Sequence, residues 1–258
     1  MASTNPPLPR WKWWLYQPYK VFVFGPLMVL STLVSALGVV ALLPFFGART
    51  VSRLCGGGWA RFNAFLTPMR VSVEGREHVD RRQSYVIVSN HQSHYDVFVL
   101  YGWLGVDFKW VMKQELRSVP ALGYACDRLG HIYIDRFDRQ AALASIARAK
   151  ERIVNGTSVL FFPEGTRSRA EGMRPFKKGA FHMALDLGLP ILPVTIVGTR
   201  DVLPPHTQDL RPGRARLVIH EPIPVAGLVP EQVPELVARV RQAIAGPLGG
   251  DPQQAVAS

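Results

Sequence analysis

A histidine stands five residues before an aspartate in the run Asn90-His91-Gln92-Ser93-His94-Tyr95-Asp96. If Asp96 holds one imidazole nitrogen of His91, the other nitrogen is oriented to accept a proton, and the carboxylate stabilises the imidazolium that forms. That is general-base chemistry on a hydroxyl or a water. Two plainer readings compete. Ser93 and Asp96 have the spacing of a helix capping box. His91 and His94 could ligate a metal, although three-residue spacing without a strong third partner makes a poor zinc set. Neither Ser89 nor Ser93 is required as a nucleophile, because the GxSxG elbow of a serine hydrolase is absent.

A second cluster follows 66 residues on from Asp96, in Phe162-Pro163-Glu164-Gly165-Thr166-Arg167-Ser168-Arg169. Gly165 lets the backbone bend tightly, and Arg167 can clamp a phosphate with two parallel hydrogen bonds. Arg136, in Asp135-Arg136, can do the same. An ordinary turn with solvated arginines is the competing reading.

The elements around these clusters decide whether they meet. Apolar runs at 71–73, 85–89, 108–112, 131–134, 158–162, 191–197 and 215–220 predict strands. Helices are predicted over 138–154, 177–187 and 230–245, the first starting at Asp138 and stopping at Asn155-Gly156. This alternation implies an α/β fold, a mostly parallel sheet with helices on both faces. In such sheets ligands bind beyond the carboxyl ends of the strands. The clusters after the second, fourth and fifth runs would then share one edge.

The N-terminal part has another character. Trp11, Trp13, Trp14, Tyr16 and Tyr19 mix with Arg10, Lys12 and Lys20, a composition suited to a membrane interface. Val21 to Ala48 carries no charged residue, and about 20 apolar residues suffice to span a bilayer. The run is too long for a signal peptide, and Phe46 spoils a small-x-small cleavage site. Basic residues are balanced on its two flanks, with Arg10, Lys12 and Lys20 before it and Arg49, Arg53 and Arg61 after. A tie favours both flanks on one side, a bent shallow insertion rather than a single span. A buried core helix is the alternative. The expected domains are an N-terminal membrane-attached helical segment at 1–50, a catalytic domain at 51–246 and a disordered tail at 247–258.

A formal net charge of +11 favours anionic partners. No zinc-finger spacing, RNA-binding signature or basic heptad region is present, which argues against nucleic acid. Cys55 and Cys126 form no CxxC and have no metal-ligand spacing, so reduced thiols are expected.

Four blocks in order carry a resemblance: Asn90 to Asp96; Gly130-His131-Ile132-Tyr133-Ile134-Asp135-Arg136; Phe162 to Ser168; and Leu189-Pro190-Ile191-Leu192-Pro193-Val194. Together they resemble the glycerolipid acyltransferases, most closely the 1-acylglycerol-3-phosphate acyltransferase branch, over about residues 70–225. The resemblance implies acyl transfer from acyl-CoA or acyl carrier protein to the sn-2 hydroxyl of lysophosphatidic acid, with no cofactor and no metal. His91 would be the base and Asp96 its orienting partner. Lys113, Arg136 and Arg167 would hold the acceptor phosphate. Asn90, Glu164, Gly165, Thr166 and Pro193 would shape the site, with Glu164 also able to bind a glycerol hydroxyl or position Arg167. The resemblance further implies a membrane carrying anionic lipids as a partner and an active site on its cytoplasmic face, the inner membrane in a bacterium. Another lysolipid as acceptor, or a lipid-binding module without turnover, are the alternatives.

Overall fold

A computed structural model describes residues 9–135, 145, 150, 153, 155–167 and 172–249. Arg136, nearly all of the helix expected at 138–154 and the tail from residue 250 lie outside the described residues.

All seven apolar runs form strands: β1 (Met69–Glu74), β2 (Val86–Ser89), β3 (Asp107–Lys113), β4 (Ile132–Ile134), β5 (Thr157–Phe161), β6 (Ile191–Val197) and β7 (Gly213–Ile219). They make one sheet in the order β1-β7-β6-β2-β5-β3-β4. Among the described residues each pairing is parallel except β6 with β7. The carboxyl ends of β2, β3, β4, β5 and β6 therefore lie on one edge. Every residue of β2 is buried, as expected for a central strand covered on both faces. At the other side of the sheet β7 alternates buried and partly exposed residues.

The pleat divides the core in two, because successive side chains of a strand point to opposite faces. Ile87, Leu160 and Leu192 join one cluster with α4 (Gly57–Leu66) and α5 (Asp96–Trp103). Val86, Val88, Val159 and Ile191 join the other with α7 (Gly179–Leu187) and α9 (Val233–Ala245). The last two helices fall where the periodicity places them. Phe181 of α7 is wholly buried, a contribution of about 2 kcal/mol from its apolar surface. The chain stays packed slightly beyond residue 246: Leu248 is buried and the Pro247 carbonyl accepts from Arg216.

Before the sheet come α1 (Arg10–Tyr19), α2 (Gly25–Leu42), the one-turn α3 (Ala48–Val51) and α4. A π-helical turn at Lys20–Phe24 joins α1 to α2, two residues after Pro18. Pro18 has no N–H to give to the helix, and a wide turn is one way to absorb that irregularity. After the turn at 43–47 the chain reverses and α4 runs back along α2. The hydrogen bonds Ser35 Oγ to the Cys55 carbonyl (3.1 Å), Trp59 Nε1 to Thr32 Oγ1 (3.0 Å) and Asn63 Nδ2 to Ser31 Oγ (3.0 Å) record the antiparallel register. Gly38 lets the two approach, since a Cβ there would stand 3.1 Å from Cys55 Sγ. α2 also packs on α6 (Leu122–Arg128), where Ala36 and Val39 meet Ala125 and Leu129.

Among the described residues one stretch, Tyr16–Leu42, is long and apolar enough to cross a membrane, with a mean hydropathy of 2.1. Its inner residues Ala36 and Val39 are buried, while Val29, Leu30, Leu33, Val34, Leu37 and Val40 face outward. Phe62 and Phe65 of α4 extend this exposed apolar surface. Residues 9–50 are therefore not a detached leash: one face of α2 belongs to the fold and the other is left bare.

Candidate active site

His91 lies just beyond β2, held by three devices. Asn90 is wholly buried, and its amide makes a pair of hydrogen bonds with the backbone of Ile196: Nδ2 donates to the carbonyl (2.9 Å) and Oδ1 accepts from the N–H (2.8 Å). The side chain thus imitates a peptide group and extends the contact of β2 with β6. The His91 N–H donates to Glu164 Oε1 at 2.8 Å. The imidazole stacks on Phe162, with ring centroids 4.0 Å apart and planes at 13°.

Asp96 completes the arrangement. Its Oδ2 accepts from His91 Nδ1 (2.8 Å), Gln92 N–H (2.7 Å) and Ser93 N–H (2.8 Å), and its Oδ1 from Thr199 Oγ1 (2.5 Å). The carboxylate is fully buried, whereas 17% of the His91 side chain is exposed. Nδ1 is occupied by Asp96, so Nε2 is the imidazole's free edge. The capping-box reading captures half of the geometry. Asp96 does reach back to the Ser93 N–H, but Ser93 Oγ accepts from the Tyr95 N–H (3.2 Å) rather than that of Asp96, and donates to the Leu203 carbonyl at 2.7 Å. Among the described residues no group of three or more His, Cys, Asp or Glu is arranged to hold a metal.

Glu164 is buried, and its second oxygen accepts from the Arg174 N–H at 2.9 Å. Burial pushes its carboxyl above the usual range, and the two N–H donors partly offset this. Both oxygens are engaged with backbone, so Glu164 ties the turn after β5 to the His91 loop and to the segment before α7. Gly165 has φ +74°, and a Cβ there would stand 3.1 Å from the Lys177 side chain. Pro193 is buried within β6 opposite Val88, and its carbonyl accepts from the His220 N–H.

A cavity of about 500 Å³ opens beside this edge. His91, Lys113, Thr166 and Arg167 line it where it meets the strand ends, joined by His94 and His206. Ala36 and Val39 of α2, Trp59 of α4, Leu122 and Ala125 of α6 and Leu129 just after it form an apolar wall, with Thr32 of α2 beside them. Burial, then nearby Arg167, holds the His94 imidazole below its ordinary pKa. Burial pushes His131, also in the wall, down to about 3, so it is neutral. His131 Nδ1 accepts from the Trp110 N–H, which directs its other nitrogen toward Tyr101 Oη at 3.3 Å, and Tyr101 continues to Ser52 Oγ at 2.8 Å.

The structure thus gathers His91, Lys113, Thr166 and Arg167 around one cavity and places Asp96, Asn90 and Glu164 behind them. Pro193 is not among the lining residues. The sequence reading missed Phe162 as a stacking partner, His206 and the α2 wall. His94, which the sequence offers only as half of a weak metal pair with His91, lines the cavity as well. Neither Phe162, His206 nor the α2 wall has a spacing signal. The proximity of Phe162 to Glu164 in sequence was the one available hint.

An acyltransferase family model matches residues 70–197. A chloroplastic 1-acyl-sn-glycerol-3-phosphate acyltransferase of Brassica napus is 36% identical over 156 residues, 60% of this chain and 45% of its own length. An acyltransferase of Schizosaccharomyces pombe is 31% identical over 223 residues, 81% of this chain and 77% of its own. The chain spans about half the length of its chloroplastic and algal relatives. The crystal structure of the 1-acyl-sn-glycerophosphate (LPA) acyltransferase from Thermotoga maritima superposes with a TM-score of 0.69 at 25% identity, covering 90% of this chain and 99% of that one. With the first and third sequence blocks brought together at the carboxyl edge of the sheet and these relatives alongside, the chain belongs to the acyltransferase family.

Proposed function

We propose that this protein transfers a fatty acyl group from a thioester to the sn-2 hydroxyl of lysophosphatidic acid, forming phosphatidic acid. The observation that carries the reading is the 2.8 Å contact of His91 Nδ1 with a buried Asp96, at the polar end of a cavity whose far wall is apolar. His91 Nε2 takes the hydroxyl proton as the oxygen attacks the thioester carbonyl. The tetrahedral adduct collapses, the carbon–sulfur bond breaks, and the imidazolium returns the proton to the departing thiolate. Asp96 orients His91 and stabilises the transient imidazolium. No acyl-enzyme is needed, because the thioester is already activated.

Arg167, Lys113 and Arg136 hold the acceptor phosphate in this reading. Asn90, Glu164, Gly165, Thr166 and Pro193 position the loops. The apolar wall receives the acyl chain. The donor is acyl-CoA or acyl carrier protein, both of which present the same kind of thioester. The exposed apolar face of α2 and α4 rests in a membrane, which suits a two-chain product that scarcely leaves a bilayer. Reversal of the chain after residue 42 supports a bent pair of helices, with both flanks and the active site on the cytoplasmic side. The basic flanks meet anionic headgroups at about 1 kcal/mol per residue near the surface. Residues 1–50 then act as the anchor and 51–246 as the catalytic domain, with α2 shared between them. Incubating the purified protein with labelled acyl-CoA and a panel of lysolipids tests the reading. Labelled phosphatidic acid as the main product is expected, and thiol release without any acylated lysolipid would refute it.

A further inference from the structure

His206 lies in the loop between α8 (Thr199–Val202) and β7, directly after Pro204-Pro205. Its φ is +63°, a left-handed conformation uncommon for a residue with a side chain, though histidine tolerates it better than most. The loop is tied from several sides. Ser93 Oγ, in the catalytic loop, donates to the Leu203 carbonyl at 2.7 Å. The Arg211 N–H donates to the Val202 carbonyl at 2.8 Å. Asp209 accepts from Arg211 Nε at 3.0 Å and from Trp13 Nε1 of α1 at 3.4 Å. These bonds hold the segment that carries His206 to the cavity, where it lines the wall together with His94 and Arg167.

The fixed charges there, Lys113 and Arg167, are both positive. Lys113, Arg167 and the imidazoles of His91, His94 and His206 reach the cavity, and no Asp or Glu is among its lining residues. Such a wall suits an anion. Arginine provides a fixed charge and a planar fork for any phosphate. An imidazole adds something different, a single ring N–H aimed at one oxygen. A monoester presents three unesterified oxygens to share among Lys113, Arg167 and such a donor, whereas a phosphodiester presents two.

We propose that His206 is a specificity-determining residue that contacts the acceptor's phosphate beside Arg167 and selects a phosphate monoester over a phosphodiester headgroup. The assignment rests on the acyl transfer proposed above and sharpens it, since it says which class of lysolipid the site prefers.

The test uses the full chain in detergent micelles, with His206→Asn and His206→Gly. Asparagine tolerates a left-handed backbone, and glycine removes the ring with no conformational strain, so at least the second variant keeps the loop. Steady-state kinetics are measured with lysophosphatidic acid, with lysophosphatidylglycerol as the diester acceptor, and with varied acyl-CoA. The expected result is a rise of about tenfold in KM for lysophosphatidic acid, the loss of one polar contact, with much smaller changes in its kcat and in KM for the diester and the donor. The preference for the monoester should shrink by the same factor. Unchanged KM for lysophosphatidic acid, or an equal rise for the diester or for acyl-CoA, overturns the assignment. A wild-type protein that acylates the diester better overturns it too, while leaving acyl transfer intact. A wild-type protein that acylates neither refutes the parent reading itself.

Discussion

The carboxyl edge of the sheet and the helix α2 border the same cavity, yet they are built differently. At the edge, Asp96 accepts four hydrogen bonds, Asn90 two contacts with one residue of β6, and Glu164 joins two loops through backbone N–H groups. Along α2, the inward face carries small residues and short hydroxyls that permit close packing on α4 and α6, while the outward face is bare leucine and valine. Directional bonds can fix a reacting group to about 0.5 Å, which catalysis requires. Apolar faces fix a helix against surfaces and need no such direction. Substitutions at the edge should therefore change rate. Substitutions on α2 should change what the cavity holds or where the protein resides.

Asp96→Asn should have the largest effect of the substitutions that separate these regions. The neutral amide no longer stabilises the imidazolium, and with its oxygen facing His91, Gln92 and Ser93 its nitrogen cannot accept from Thr199 Oγ1. Turnover should fall on the order of 10³-fold, measured as initial thiol release with the protein's thermal transition recorded alongside. A folded variant with near-normal rate would show that the bond network positions a loop and nothing more. Ala36→Leu comes next. Ala36 is 5% exposed and lines the cavity, so the added methyls should shorten the usable space. The ratio of kcat/KM for long over short acyl thioesters should drop about tenfold, comparable to a few methylene contacts. No change in that ratio would place the acyl chain elsewhere. The smallest change in chemistry is expected from Leu33→Ser combined with Leu37→Ser on the outward face. Leu37 is 67% exposed, one residue from Ala36. Binding to anionic vesicles should weaken about tenfold or more, while turnover in detergent stays within a factor of about two. Equal losses in both assays would mean that the outward face packs against protein.

What could be read in the sequence follows the same division. The strands were legible because buried parallel strands are written as uninterrupted apolar runs, and Val86–Ser89 is buried throughout. The same feature concealed α5, where Val97-Phe98-Val99-Leu100 gives no helical period. His91 and Asp96 could be found from type and spacing because their partnership is local. Glu164 could be placed in a turn, but its bond to the His91 N–H crosses 73 residues and leaves no pattern in the chain. The stacking of Phe162 on His91 and the turn that brings His206 to the cavity are likewise products of the sheet order. The N-terminal run was legible as apolar. That one of its faces would line the cavity was not, since Ala36 and Val39 look like any other apolar residues until α6 lies against them.

Acyl transfer as proposed requires His91 as the base. His91→Ala removes the imidazole from a partly exposed position while leaving Asn90, Glu164 and the Asp96 contacts to Gln92, Ser93 and Thr199 in place. The direct measurement is thiol release from acyl-CoA with lysophosphatidic acid as acceptor, comparing His91→Ala with the unaltered chain at matched thermal stability. A loss of about 10²–10⁴-fold is predicted, the usual contribution of a positioned general base. Near-normal turnover by a folded His91→Ala protein would contradict it.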